Sequence, residues 1–413
     1  MRSFDEAPFI VIWELTQACD LACVHCRACA IESRSQLELS TEEGFRLLEE
    51  VRSFGDPLMV FTGGDPLKRP DLLPLIEKSV RLGLRTTVTP SATPLLTEGA
   101  IERFRDCGLA RMAISLDGPD SESHDGFRRV NGSFNCTILA LEHAQRIGLQ
   151  TQVNTTVTRH NVGRLGEIAR LVERVGAKLW SVFFLVATGR ASASQDLTAE
   201  EYEEVFAFLY NLSKTAPFDI KTTEAQHYRR YVAQSRKADS EGGGAARRTA
   251  PEIIQRQAGI NDGKGFVFVS HTGEIYPSGF LPLTAGNVRR DSLTAVYRES
   301  PLFRTLRNAD NLQGKCGECE YRNLCGGSRS RSYALTGNPL AEEPRCIYQP
   351  KPMGDAFLAI GARNRQGSRL SGTTHSSSSY TPKPCNAGGF LIMVRSMTTS
   401  LCALIPCSRF GGI

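Results

Sequence analysis

No stretch of 18 apolar residues occurs anywhere in the 413-residue chain, so a membrane-spanning helix is not expected. The first twenty residues, MRSFDEAPFIVIWELTQACD, hold only a short apolar run with acids on both sides. That is not the pattern of a secretory leader, and a reducing cytoplasm is the expected location. An excess of one charge is also missing from most of the chain. Residues 351–413 carry seven basic side chains (Lys351, Arg363, Arg365, Arg369, Lys383, Arg395, Arg409) and one acid, Asp355, whereas residues 1–350 carry 42 basic and 43 acidic ones. The formal charge of +5 therefore belongs to one terminal stretch, and the neutral remainder offers no electrostatic footprint for nucleic acid. No internal repeat is visible. What remains is ordinary globular composition, 41% hydrophobic and 23% charged, at a length that predicts one large domain and a smaller one.

Short apolar or β-branched runs at 9–15, 58–62, 84–89, 111–117, 150–157 and 179–186 predict strands. Helical stretches lie between them at 40–54, 70–82, 97–107, 133–147 and 162–175, the first opened by Ser40 and Glu43 at capping-box spacing. This alternation predicts parallel βα units, and near-continuous apolar strands predict burial on both faces. Six units are too few for a closed eight-stranded barrel. The expected fold class is therefore α/β, a partial (βα)6 barrel over residues 1–195 that gathers its ligands at the carboxyl ends of the strands. Residues 196–262 are expected to bridge, with an amphipathic helix from 198 and a glycine-rich mobile loop at 235–250. A smaller domain over 263–350 opens with a hairpin at 266–278, turned at Thr272-Gly273. The tail over 351–413 is expected to be disordered or atypical: after about residue 362 it is Ser-, Thr- and Gly-rich, with no helical or strand period until a short apolar run at 390–394.

Eight of the 13 cysteines fall into two groups. Cys19, Cys23 and Cys26 follow the first strand in a C-x3-C-x2-C spacing. Three thiolates on a short loop can grip three irons of a 4Fe–4S cluster and leave the fourth iron open to a small chelating molecule. Zinc is the alternative, with Cys29 as a fourth ligand. Cys316, Cys319, Cys325 and Cys346 form C-x2-C-x5-C-x20-C, which suits a fully ligated second cluster or a structural zinc knuckle.

The stretch WELTQACDLACVHCRACA resembles the signature loop of the radical S-adenosylmethionine (SAM) superfamily. The resemblance implies that Cys19, Cys23 and Cys26 hold a 4Fe–4S cluster whose open iron binds SAM. It also implies that an electron, from a donor such as ferredoxin or flavodoxin, cleaves SAM to a 5′-deoxyadenosyl radical. Thr62-Gly63-Gly64-Asp65-Pro66 resembles the family's GGEP motif, whose backbone and acid hold the SAM amino group; here Asp65 stands for the usual Glu. By the same resemblance Ser115 and Asp117 contact the ribose and carboxylate of SAM, or simply form a strand-to-loop turn. Asn154 on strand five and Arg190 after strand six lie at the mouth, with a surface ion pair as the other role for Arg190.

The second cysteine group is similar to the auxiliary-cluster extension called SPASM. A full extension has seven cysteines, but Ser278 and Ser328 stand here where cysteines are common, so one auxiliary cluster is expected. The stretch CGECEYRNLCGGSRSRSYALTGNPLAEEPRC is most similar to the tetrapyrrole-modifying branch, implying oxidative decarboxylation in heme biosynthesis. Arg329 and Arg331 would then pair with substrate carboxylates, or be ordinary surface arginines. A maturase of the pyrroloquinoline quinone or mycofactocin type is the second reading. Such enzymes usually carry an N-terminal peptide-binding domain, and only eighteen residues precede Cys19. A zinc-stabilised binding protein without enzymatic activity is the reading from another class.

Overall fold

Residues 3–241 and 259–351 are described in the computed structural model of the chain. Strands β1 (Ile10–Glu14), β2 (Leu58–Thr62), β3 (Arg85–Val88), β4 (Arg111–Ser115), β5 (Thr151–Val157) and β6 (Leu179–Phe184) occupy the six expected runs. Between them lie α1 (Thr41–Ser53), α2 (Leu72–Arg81), α3 (Glu98–Asp106), α4 (Ser121–Arg128), α5 (Ser133–Arg146) and α6 (Leu165–Arg174). The Ser40 hydroxyl accepts from the Glu43 N–H while the Glu43 carboxylate takes the Ser40 N–H, so α1 begins with the expected capping box.

Helix α7 (Ala199–Ser213) is followed by a seventh strand, β7 (Asp219–Thr223), and by α8 (Tyr228–Glu241). Sequence reasoning missed β7 because DIKTT contains one apolar residue, Ile220, which alone is fully buried. The loop expected from residue 235 is helical as far as Glu241; the rest of it, from 242, lies outside the described residues, as does the tail after Lys351. The hairpin forms as expected from β8 (Phe266–Val269) and β9 (Glu274–Tyr276), with a further short strand β10 (Gly286–Asn287). All ten strands make one sheet in the order β10-β9-β8-β1-β2-β3-β4-β5-β6-β7. β1 to β7 are parallel throughout, and β8 continues them by pairing parallel to β1.

The helix-facing side of this sheet is the core. Val11, Trp13, Met59, Phe61, Met112, Ile114, Val153, Trp180, Val182 and Ile220 are all sealed beneath the helices. The other face differs from the expectation of apolar burial on both sides. Its residues include Ile12, Val60 and Phe183 but also Glu14, Thr62, Thr87, Ser115, Asn154, Ser181 and Lys221, a mixed lining whose polar groups suit a ligand. Among the described residues no helix is long and apolar enough to cross a membrane.

Candidate functional site

β1 runs directly into the loop that carries the first three thiols. Cys19 and Cys23 are buried with Leu21, and Cys26, Ala30 and Val130 pack around them. Each sulfur has a donor aimed at it. The Leu21 N–H lies 3.3 Å from Cys19 Sγ, the Ala30 N–H 3.4 Å from Cys26 Sγ, and Arg128 Nη1 3.5 Å from Cys23 Sγ. Burial pushes the Cys19 thiol above its ordinary value. A sulfur that ionises reluctantly alone, yet is surrounded by N–H donors, suits a cationic metal group that compensates the buried charge.

The loop is clamped from two sides. Arg190 donates from Nε to the Cys23 carbonyl (3.0 Å), from Nη1 to the Ala30 carbonyl (3.3 Å) and from its backbone N–H to the Cys26 carbonyl (2.9 Å). It is therefore a strut of the thiol loop and not a surface ion pair. Arg128, at the end of α4, forms an ion pair with Asp117. Burial is the largest influence and opposes ionisation of Asp117, but the Arg128 guanidinium and the neighbouring groups, the Thr156 N–H among them, together hold the carboxyl below its usual range. The other Asp117 oxygen accepts from the Thr156 N–H at 2.7 Å. Asp117 thus faces protein groups, while Ser115 and Asn154 sit side by side in register on the inner face. The Asn154 side-chain oxygen accepts from Gln152 Nε2 at 2.7 Å.

Gly63 and Gly64 are needed for the thiol loop itself. A Cβ on Gly63 would lie 2.5 Å from the Thr16 carbonyl oxygen, and one on Gly64 2.5 Å from that of Ala18. The close approach is fixed by two bonds, Gly64 N–H to Thr16 O and Asp65 N–H to Ala18 O, both 2.7 Å. Asp65 is fully buried and accepts from the Leu67 N–H, the Ser91 N–H and the Thr93 hydroxyl. Burial raises its carboxyl above the ordinary value. The carboxylate therefore ties the ends of β2 and β3 together.

Three neighbours were missed by sequence reasoning. The Ser91 hydroxyl bonds the Gly64 carbonyl at 2.8 Å and lies 3.4 Å from Cys19 Sγ. His25 stacks on Phe127, which in turn stacks on His160; burial pulls His25 down to about 3, so its ring is neutral. Arg128 sits on the short polar helix α4, whose sequence SESHDGFR has Phe127 as its one large apolar residue.

The second group of cysteines also comes together. Cys316, on α11 (Gly314–Glu318, which follows α9 at Leu293–Glu299 and α10 at Pro301–Arg307), joins Cys319, Cys325 and Cys346 around a small cavity of about 20 Å³. Backbone N–H groups of Glu343, Tyr321 and Gly327 point at Cys316, Cys319 and Cys325 over 3.2, 3.4 and 3.3 Å. Gly326 and Gly327 have φ of 69° and 64°, a double left-handed turn that side chains resist. Burial pushes Cys319 up to about 11 and Cys325 up to about 12. Among the described residues no three His, Cys, Asp or Glu side chains converge as the ligands of a single ion do; the four thiols instead ring a space. His227, in the turn just before α8, lines the same cavity, fully buried, with neither ring nitrogen bonded.

Arg329 and Arg331, on α12 (Arg329–Thr336), correct the sequence reading. Both are 1% exposed, so neither is a surface residue nor open to a substrate. Arg331 pairs with Glu343 at 3.3 Å and donates to the Leu185 carbonyl at 3.0 Å, while Arg329 donates to the carbonyls of Pro339 and Ala341. The two serines at cysteine-like positions belong to a buried polar network. Ser328 Oγ donates to Glu224 at 2.5 Å; Ser278 bonds Asp262 and lies 3.4 Å from the Ser330 hydroxyl, which itself bonds Asp262 at 3.0 Å.

A thiol loop at the carboxyl edge of an open parallel barrel, backed by a double-glycine turn, is the arrangement found in enzymes that hold a metal cluster on a loop. Comparison with known proteins makes the class specific. A model of the radical SAM superfamily matches residues 13–172. The chain is 42% identical over 353 residues to the AdoMet-dependent heme synthase of Oleidesulfovibrio alaskensis, covering 84% of this chain and 89% of that protein. It is 37% identical over 350 residues to the AdoMet-dependent heme synthase of Methanosarcina barkeri, with 85% and 99% covered. The crystal structure of Streptococcus suis SuiB bound to precursor peptide SuiA shares the fold, with a TM-score of 0.66 at 17% identity over 83% of this chain and 76% of that one. The chain belongs to the radical SAM superfamily of enzymes. That membership implies a 4Fe–4S cluster and SAM as cofactors, and the donor chemistry around Cys19, Cys23 and Cys26 fits such a cluster.

Proposed function

We propose that the protein is an AdoMet-dependent heme synthase, converting propionate side chains of an iron tetrapyrrole by oxidative decarboxylation. The observation that carries this reading is the 42% identity over 84% of the chain to a heme synthase. Bound at Cys19, Cys23 and Cys26, a 4Fe–4S cluster with SAM supplies the radical that takes a hydrogen atom from the substrate. The chain's own part is positional. Arg190 and Arg128 hold the loop; Gly63 and Gly64 let the turn after β2 seat against it; Ser115 and Asn154 present polar groups to SAM at the mouth, where Asp65 fixes the floor.

Loss of a carboxylate as carbon dioxide from a substrate radical releases one electron, which needs an acceptor. Cys316, Cys319, Cys325 and Cys346 are the groups that would hold a second, auxiliary cluster for that purpose. With Ser278 and Ser328 committed to Asp262 and Glu224, one auxiliary cluster is the number this chain supports. An electron donor of the ferredoxin or flavodoxin kind and a reducing cytoplasm complete the reading. The test is anaerobic reconstitution, then incubation with SAM, reductant and iron-coproporphyrin III. Mass spectrometry should find carbon dioxide lost from propionates; 5′-deoxyadenosine formed with no change in the porphyrin would overturn the assignment in favour of another substrate, a peptide first among them.

A further inference from the structure

The inner face of the sheet contains cations with no partner. Ser115, Asn154, Ser181 and Lys221 are neighbours in register across β4, β5, β6 and β7. They therefore form one row on the concave side, and Lys221 lies three strand spacings from Ser115, about 14 Å. Its chain neighbour Ile220 points the other way, into the core beneath the helices. Lys221 is half-buried, and burial together with Arg111 lowers its ammonium to about 8. This is a side chain crowded by protein inside a hollow, without a counter-ion.

Arg111, on the same face of β4, shows the same deficit. Its Nε is buried and unbonded, burial lowers its basicity, Arg85 on β3 lowers it further, and Asp219 is the one carboxylate that offsets them. Among the described residues, no hydrogen bond or ion pair engages the side chains of Lys221, Arg111 or Arg85. The β6 residues paired beside Lys221 and Thr223, Ser181 and Phe183, are neutral. Unpaired cations in a concavity are costly to a folded chain; Arg85 is exposed at the start of β3, so the cost falls on Lys221 and Arg111. An anionic ligand would restore the balance.

We propose that Lys221, backed by Arg111, holds a carboxylate of the substrate inside the barrel, across from the Ser115–Asn154 mouth. On the heme-synthase reading, on which the identity of the ligand rests, this carboxylate is a propionate anchored while a different one reacts. The anchor sets which edge of the ring faces the site of hydrogen abstraction, so it is a positioning and specificity residue. A charge-assisted bond of this kind separates bound from free strongly because water is excluded around it.

The test measures iron-coproporphyrin III binding to the reconstituted protein by its absorbance change, and carbon dioxide release separately. In Lys221→Met, affinity should fall about 10- to 100-fold, and Lys221→Arg should restore most of it. Wild-type affinity should decline as pH rises above about 8, whereas Lys221→Arg stays level there. Wild-type binding that is matched by Lys221→Met, or a loss that Lys221→Arg does not recover, overturns the anchor while normal carbon dioxide release leaves the function standing. Binding that depends on Lys221 without carbon dioxide release overturns the proposed reaction and keeps the anchor. A wild-type protein that does neither overturns both.

Discussion

Replacing Gly64 with alanine tests whether the double-glycine turn serves the thiol loop. The new Cβ would lie 2.5 Å from the Ala18 oxygen, 2.6 Å from the Gln17 oxygen and 2.8 Å from the Ala18 carbonyl carbon. These are backbone atoms, so no rotamer change relieves the contact. The loop must withdraw by about 1 Å to reach normal packing distance. Overpacking of this kind costs about 1–3 kcal/mol. Withdrawal also weakens the two 2.7 Å bonds from Gly64 and Asp65 to the loop, each contributing about 1 kcal/mol. The sum, about 3–5 kcal/mol, falls on the segment between Thr16 and Cys19 and not on the auxiliary site. Iron and acid-labile sulfide should then drop by roughly half from a two-cluster complement of about eight irons per chain, and 5′-deoxyadenosine formation should be lost. A Gly64→Ala protein with the full iron content and wild-type 5′-deoxyadenosine yield would refute the reasoning.

Two further outcomes follow from the buried charges. Arg128→Met leaves Asp117 buried without its cation and should destabilise the protein by about 3–5 kcal/mol, seen as a lower Tm; adding Asp117→Asn should recover part of that loss, and a double variant worse than the single one would argue against the pairing. Lys221 binds fewer protons in the folded than in the unfolded chain between its folded value of about 8 and its ordinary 10.5, so its penalty is full below about 8 and disappears as pH rises through that window. Relative to Lys221→Met, wild-type stability in urea should therefore improve by up to about 3 kcal/mol from pH 8 to 10.5, and a constant difference would show that the ammonium is not desolvated.

The barrel was legible because its strands are short apolar runs at regular intervals, and both thiol groups because spacing alone limits which cysteines share a loop. What stayed hidden was polar. β7 carries its burial on Ile220 alone, and α4 has a mostly hydrophilic sequence that matters through Arg128. Arg331 was misread because a guanidinium suggests the surface; its partner Glu343 is twelve residues away and announces itself only in three dimensions. Asp65 matches a motif in the chain, but whether its carboxylate faces a ligand or Thr93 depends on the end of β3. Spacing names the groups; neighbours from distant strands decide what each one does.

The parallel pairing of β1 with β8 also dictates a schedule. Ile10 pairs with Phe266, Glu14 bonds His271 at 3.1 Å, and Arg27 donates to the Gly279 carbonyl at 3.1 Å while lying over the Phe268 ring. During synthesis, at about 5–20 residues per second, those partners emerge roughly 13–50 s after β1. Throughout that interval one edge of β1 is open and the back wall of the thiol loop does not exist. The nascent chain is therefore a poor recipient for a metal cluster and a target for strand-edge association. Loading belongs to the released, fully docked protein, and truncation anywhere before residue 280 should yield a chain that holds no cluster even with every first-loop cysteine in place.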